Sequence, residues 1–133
     1  MKYMLDTDMC IYTIKHHPIQ VKKKLSKLSI EDVGISSIVV AELEFGIAQS
    51  QKQADNRQAL LQFLEYMNVE DWPMEATEVY GSIRAHLKQK GTPIGAMDLL
   101  IAAHAIQSNA ILVTNNTREF KRVPKLKIDN WTK

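Results

Sequence analysis

Tyr3-Met4-Leu5-Asp6-Thr7-Asp8 opens the chain with three apolar residues that run into two carboxylates separated by a hydroxyl. An apolar run of this kind, followed by a helix-like pattern, reads as a short buried strand, the first of an α/β sheet. In open α/β sheets ligands bind just beyond the carboxyl ends of the strands. Asp6 stands at that end. Other carboxylates brought to meet it would together hold a metal ion.

Outward from this strand, helix and strand patterns alternate. Met9 to Lys15 reads as a short helix with Asp8 as its N-cap, stopped by His16-His17-Pro18 because the residue before proline avoids helical backbone. Val21, Leu25 and Leu28 then recur at helical spacing, with Lys22, Lys23, Lys24 and Lys27 elsewhere on the turn. Val33-Gly34-Ile35 predicts a second strand. Ser36-Ser37 caps a helix from Ile38 to Gln49, apolar on most sides and so expected to be largely buried. Gln51 to Gln58 reads as a polar loop, Ala59 to Met67 as an amphipathic helix and Asn68-Val69-Glu70 as a third strand. Glu75 to Gln89 carries an apolar stripe of Val79, Ile83 and Leu87 and is broken by Gly91-Thr92-Pro93. Ile94 to Ala105 is an alanine-rich helix with Asp98 in its first turn. Ala110 to Val113 is a central strand, and Lys125 to Ile128 has the alternation of a half-exposed edge strand. This alternation predicts a parallel sheet with helices on both faces and right-handed crossovers.

With 133 residues, 45% hydrophobic and 24% charged, the chain is expected to form one domain over 1–133. No apolar stretch approaches the roughly 20 residues of a membrane helix. The N-terminus lacks a signal-peptide layout, so a cytoplasmic protein is expected. Cys10 is the only cysteine, which excludes an internal disulfide and a thiolate zinc cluster. The net charge of +2 conceals a basic first segment (+4 over 1–30), an acidic middle (−8 over 31–80) and a basic end (+6 over 81–133). Such a division offers two faces to two partners, or simply solvated helix faces.

Four polar positions interrupt apolar or strand-terminal settings: Asp6, Glu42, Asp98 and the pair Asn116/Glu119. Each has a structural explanation. Asp6 can cap a turn, Asp98 suits the positive end of a helix, and Asn116 and Glu119 have capping-box spacing. Glu42 is hardest to dismiss, because an unpaired buried carboxylate is costly. Glu44 points about 200° away from Glu42 on a helix and cannot serve the same site. Clustered carboxylates repel one another, and a cation offsets that repulsion. Oxygen donors without a usable cysteine select a hard ion, Mg2+ or Mn2+. The matching chemistry is phosphodiester hydrolysis, in which one ion lowers the pKa of water and a second steadies the leaving oxygen. The same residues would also fit a phospho-acceptor domain. His104, in an apolar helix, reads as a hydrogen-bonded core histidine, and no Gly-rich phosphate loop or Ser or Cys nucleophile motif is present.

The segments Leu5 to Asp8, Ser36 to Gly46, Gly91 to Asp98 and Val113 to Phe120 resemble, in order and spacing, the successive motifs of PIN-domain ribonucleases. More narrowly, the chain resembles the VapC toxins of bacterial toxin–antitoxin pairs, over almost its whole length. The resemblance implies a three-layer α/β/α fold with a five-stranded parallel sheet in the order 3-2-1-4-5. It implies a site near the switch point between the first and fourth strands. Asp6, Glu42 and Asp98 match the family's core acids, with Glu119 or Asn116 assisting, and Mg2+ or Mn2+ as cofactor. It further implies a homodimer and a cognate VapB-like antitoxin, with operator DNA reached only through the antitoxin complex. The stretch Thr114 to Phe120 is similar to that of the enteric toxins, which cleave initiator tRNA in the anticodon stem-loop. Two positions depart from the pattern: Asp8 stands where the family often has Asn, and Asn116 where it often has Asp. Alternative readings are a non-catalytic module that represses its own operon with a partner, a phosphorelay receiver, and a structure-specific DNA nuclease, for which the chain lacks a helical arch.

Overall fold

In a computed structural model describing all 133 residues, the opening apolar run becomes β1 (Tyr3–Leu5), the central strand of one sheet. The chain continues through α1 (Thr7–Lys15), α2 (Ile19–Ser26), β2 (Val33–Ser36), α3 (Ser37–Gln49), α4 (Gln53–Leu64) and β3 (Asn68–Glu70). It then forms α5 (Ala76–Gln89), α6 (Ala96–Gln107), β4 (Ile111–Val113), α7 (Thr117–Phe120) and β5 (Ile128–Asp129). The sheet order is β3-β2-β1-β4-β5 and every pairing is parallel, as the family resemblance implied. Tyr3 is flanked by Val33 on one side and Ile111 on the other, and Leu5 lies beside Val113.

Met4, Leu5, Ile35, Leu112 and Val113 have no exposed surface, so the central strands are covered on both faces. Cys10 is a fully buried small hydrophobe inside the same core. Gly34 is needed where β2 meets β3: a Cβ there would stand 2.9 Å from the Asn68 carbonyl oxygen and 2.5 Å from Met1 Sδ. Trp131 is buried against Tyr3, ring centroids 5.5 Å apart in an edge-on arrangement, and so anchors the chain end to β1. No helix is long and apolar enough to cross a membrane.

Several elements differ from the sequence-based expectation. Helix α1 begins at Thr7 instead of Met9, because Asp6 rather than Asp8 is its N-cap: the Asp6 carboxylate accepts the Thr7 N–H. Helix α3 buries only the stripe Val39, Leu43 and Ile47, and Phe45 is 63% exposed, so its apolar residues exceed the face the core covers. Helix α4 starts at Gln53, inside the segment expected to be a loop. Gln53 to Gln58 are exposed and carry no large apolar side chain, so no stripe announces this start, and the helix expected over Ala59 to Met67 ends at Leu64. Strand β5 lies at Ile128–Asp129 instead of Lys125–Ile128, because Lys125 takes a left-handed backbone (φ 68°) that no strand accommodates.

Candidate active site

The register of β1 against β4 builds the centre of the site. Leu5 pairs with Val113, so the next residues, Asp6 and Thr114, emerge side by side at the carboxyl ends of the two strands. The Asp6 N–H donates to the Val113 carbonyl at 2.9 Å. One Asp6 oxygen accepts the Thr7 N–H (2.8 Å) and the other the Thr114 hydroxyl (2.8 Å). Thr114 Oγ1 in turn accepts the Asn116 N–H at 2.9 Å, which fixes the start of the following loop. Asp6 is 5% exposed. Burial, helped by the charges of Asp8 and Asp98, pushes its carboxyl up to about 7 against the pull of the Thr114 and Thr7 donors.

Three further elements bring acids to this point. Glu42, half-buried on α3, accepts the Thr7 hydroxyl at 2.6 Å, so Thr7 ties the residue after Asp6 to the second acid. Asp98 lies in the first turn of α6; burial first, then the charges of Glu42, Glu119 and Asp8, raise it to about 6. Glu119 on α7 accepts the Asn116 side-chain amide at 3.2 Å. The capping box expected from the Asn116/Glu119 spacing does not form, because Thr114 already takes the Asn116 N–H and the two side chains bond each other. Glu44 faces elsewhere and pairs with Arg57 at 2.7 Å.

Asp8, in the first turn of α1, accepts the Asn115 N–H through Oδ2 at 3.0 Å and so clamps the β4–α7 loop to the helix. Its Oδ1 is buried without a hydrogen-bond partner. Burial raises this carboxyl, and the nearby N–H groups of Asn115 and of α1 itself offset only part of the effect before Glu42 adds its repulsion.

Asp6, Asp8, Glu42, Asp98, Glu119 and Asn116 thus gather at the carboxyl ends of β1 and β4. No three acidic, histidine or cysteine side chains stand in a ready-made coordination geometry. The donor set is nevertheless the one a hard divalent ion requires: oxygens only, one of them buried and unpartnered, and two carboxyls, Asp6 and Asp98, pushed toward protonation by burial and by neighbouring carboxylates. A cation placed there would relieve both costs.

Thr7 and Thr114, which orient Glu42 and Asp6, are not marked as site residues by the sequence pattern. The only available signal is that each follows an acid or an apolar strand directly. A second buried contact joins the helices that carry the acids. Ser36 Oγ, the N-cap of α3, accepts the Ile38 N–H at 3.1 Å and lies 2.9 Å from His104 Nδ1 on α6. Burial lowers the His104 pKa against the opposing charge of Glu70, so the imidazole is neutral, and a core histidine is what the apolar setting predicted. Such a satisfied buried contact contributes about 1 kcal/mol, and more is lost if one partner is removed.

The largest groove, about 420 Å3, lies between α1, α2 and α4 and contains none of these acids. A second, about 320 Å3, borders the site: Glu42 and Gly46 form part of its wall beside Ile11 and Ile14. Gly46 leaves open space there, since an added Cβ would meet nothing within 4 Å.

The PIN domain family model matches residues 3–126. Over the full length of both chains the protein is 47% identical to Ribonuclease VapC2 of Rickettsia felis. It is 39% identical to the tRNA(fMet)-specific endonuclease VapC of Salmonella typhimurium, over 98% of each chain. Among solved structures, VapBC2 from Rickettsia felis bound to a DNA fragment from its promoter superposes with a TM-score of 0.92 at 46% identity, covering 98% of this chain and 99% of that one. VapBC-1 from nontypeable Haemophilus influenzae superposes with a TM-score of 0.89 at 37% identity over the whole of both chains. An acid-lined strand end, a 3-2-1-4-5 sheet and full-length likeness therefore agree: the chain belongs to the PIN-domain family, among the VapC ribonucleases.

Proposed function

We propose that this chain is the toxin of a toxin–antitoxin pair, an endoribonuclease that uses Mg2+ or Mn2+ held by Asp6, Glu42 and Asp98, with Asn116 and Glu119 assisting. The observation that carries this reading is the convergence of acids from the end of β1 and from α1, α3, α6 and α7 on one point, where burial first and neighbouring carboxylates second raise the carboxyls of Asp6, Asp8 and Asp98. A divalent ion at such a site acts as a Lewis acid toward phosphoryl oxygens and lowers the pKa of water. The chain's own residues do the rest. Thr114 and the Thr7 N–H hold the Asp6 carboxylate in one orientation, and the Thr7 hydroxyl holds Glu42. Asn116 steadies Glu119 beside Asp98. In the hydrolysis, water adds to phosphorus, the bond from phosphorus to the 3′ oxygen breaks, and that oxygen takes a proton. The products are a 5′-phosphate and a 3′-hydroxyl.

Initiator tRNA is the substrate this reading favours, because relatives from Salmonella typhimurium and Shigella flexneri are named tRNA(fMet)-specific endonucleases. The structural neighbours include VapBC complexes, some bound to DNA, which supports a cognate antitoxin and contact with operator DNA through it. A homodimer acting in the cytoplasm completes the proposal. The phosphorelay alternative fits poorly: receivers have the sheet order 2-1-3-4-5, whereas here β3 is an edge strand two places from β1.

Incubated with initiator tRNA and Mn2+ or Mg2+, the purified protein is expected to make one cut in the anticodon stem-loop, leaving a 5′-phosphate, and to lose activity in EDTA. Intact tRNA under all of these conditions, with no other RNA cut, would favour the non-catalytic repressor module instead.

A further inference from the structure

A cleft of about 250 Å3 opens between α5 and the start of α6. Leu87, Pro93, Ile94 and Leu99 form its apolar floor, Arg84 and Lys88 stand on its rim, and no acidic residue lines it. The one ion pair in the molecule joins Arg57 to Glu44, so both rim cations are unneutralised. Arg84 is held in place by a neutral partner: it donates to Tyr80 Oη at 2.9 Å, with its guanidinium 5.9 Å from the ring centroid.

The cleft connects to the acids by two routes. Its wall residues Pro93 and Ala96 flank Gly95, the N-cap of the helix whose first turn carries Asp98. Arg122 donates to the Pro93 carbonyl at 3.4 Å, and its N–H donates to the Glu119 carbonyl at 3.1 Å, so a third cation stands between cleft and site.

We propose that this cleft seats a nucleotide of the RNA substrate next to the scissile bond, with base or ribose on the apolar floor and backbone phosphates on Arg84, Lys88 and Arg122. The proposal rests on the ribonuclease reading above and adds the surface that positions the RNA. A polyanion approaching a cluster of carboxylates is repelled, and cations alongside the cluster offset that repulsion. An apolar floor between cationic rims matches the alternation of base and phosphate in a nucleic acid strand, whereas an acidic peptide needs only the rims.

The test measures binding of a fluorescein-labelled initiator-tRNA anticodon stem-loop to protein in an uncleaving Asp6→Asn background. Arg84→Ala combined with Lys88→Ala is expected to weaken binding about tenfold and to flatten the slope of log Kd against log salt by about one to two units. Lys52→Ala, an exposed lysine outside the cleft, should change neither, and Lys88→Arg should retain wild-type behaviour. Thermal melting controls for the lost Arg84–Tyr80 contact, because a folding defect would not alter the salt slope. Unchanged affinity and slope in the double variant, while the wild type cuts RNA, would overturn the cleft and leave the ribonuclease reading intact. Unchanged RNA binding with weakened binding of poly-glutamate would reassign the cleft to an acidic peptide and also overturn the proposal. A wild type that neither binds nor cuts RNA would remove both readings together.

Discussion

Asp6→Asn is expected to lower RNA cleavage about a hundred- to a thousand-fold and to abolish toxicity on induced expression, while the protein stays folded. The substitution keeps the side-chain carbonyl that caps α1, and asparagine is as good an N-cap as aspartate. What it removes is a charge that burial and two neighbouring carboxylates already oppose. The metal-free variant should therefore melt no lower than the wild type near neutral pH, despite a changed contact with Thr114. Loss of activity with an unchanged melt assigns the effect to chemistry. A stably expressed and fully toxic Asp6→Asn protein would contradict the assignment of this site.

The second large effect is a coupling of pH, divalent ion and stability. Without added metal the protein should be more stable at pH 5 than at pH 8. Asp6 holds its proton up to about pH 7 in the fold, against 3.8 ordinarily, and Asp98 up to about 6. Between about pH 4 and 7 the unfolded chain therefore releases protons that the folded chain keeps, so stability falls as pH rises through that window and levels off above it. For the buried Asp6 the change is on the order of 3 kcal/mol. Asp98 adds less, because it is more exposed to screening solvent. His104 works in the opposite sense, since its lowered pKa favours the fold at higher pH, and comparison with Asp6→Asn separates the two. Mn2+ or Mg2+ binds the deprotonated acids, so the rise in Tm on adding the ion should be larger at pH 8 than at pH 5. Thermal melts at both pH values, with and without ion, check this. An ion-independent melt, or a gain equal at both pH values, would contradict it.

Asp6 was legible because an uninterrupted apolar run leads straight to it, and Glu42 and Asp98 because carboxylates are conspicuous in apolar helices. The strand order was not contained in local periodicity and came from the likeness of the motifs to a known family. Thr114 is silent in the sequence for a long-range reason. Its partnership with Asp6 exists only because Leu5 and Val113 share a register, and no local pattern encodes that pairing. Asp6 and Asp8 are equally good caps, and the choice between them follows from β1 ending at Leu5 with the helix beginning at once. At β5 the Lys-Leu-Lys-Ile alternation imitates a strand, but the backbone turns left-handed at Lys125 and pairing waits until Ile128.

Hydrolysis by this chain requires acids distant in sequence to close around one cation. The most direct measurement is an anomalous difference map from crystals of the active protein soaked in Mn2+. The predicted result is a peak among the carboxylates of Asp6, Glu42 and Asp98. A fully loaded crystal with no peak among these residues, or with its only peak elsewhere on the molecule, would contradict it.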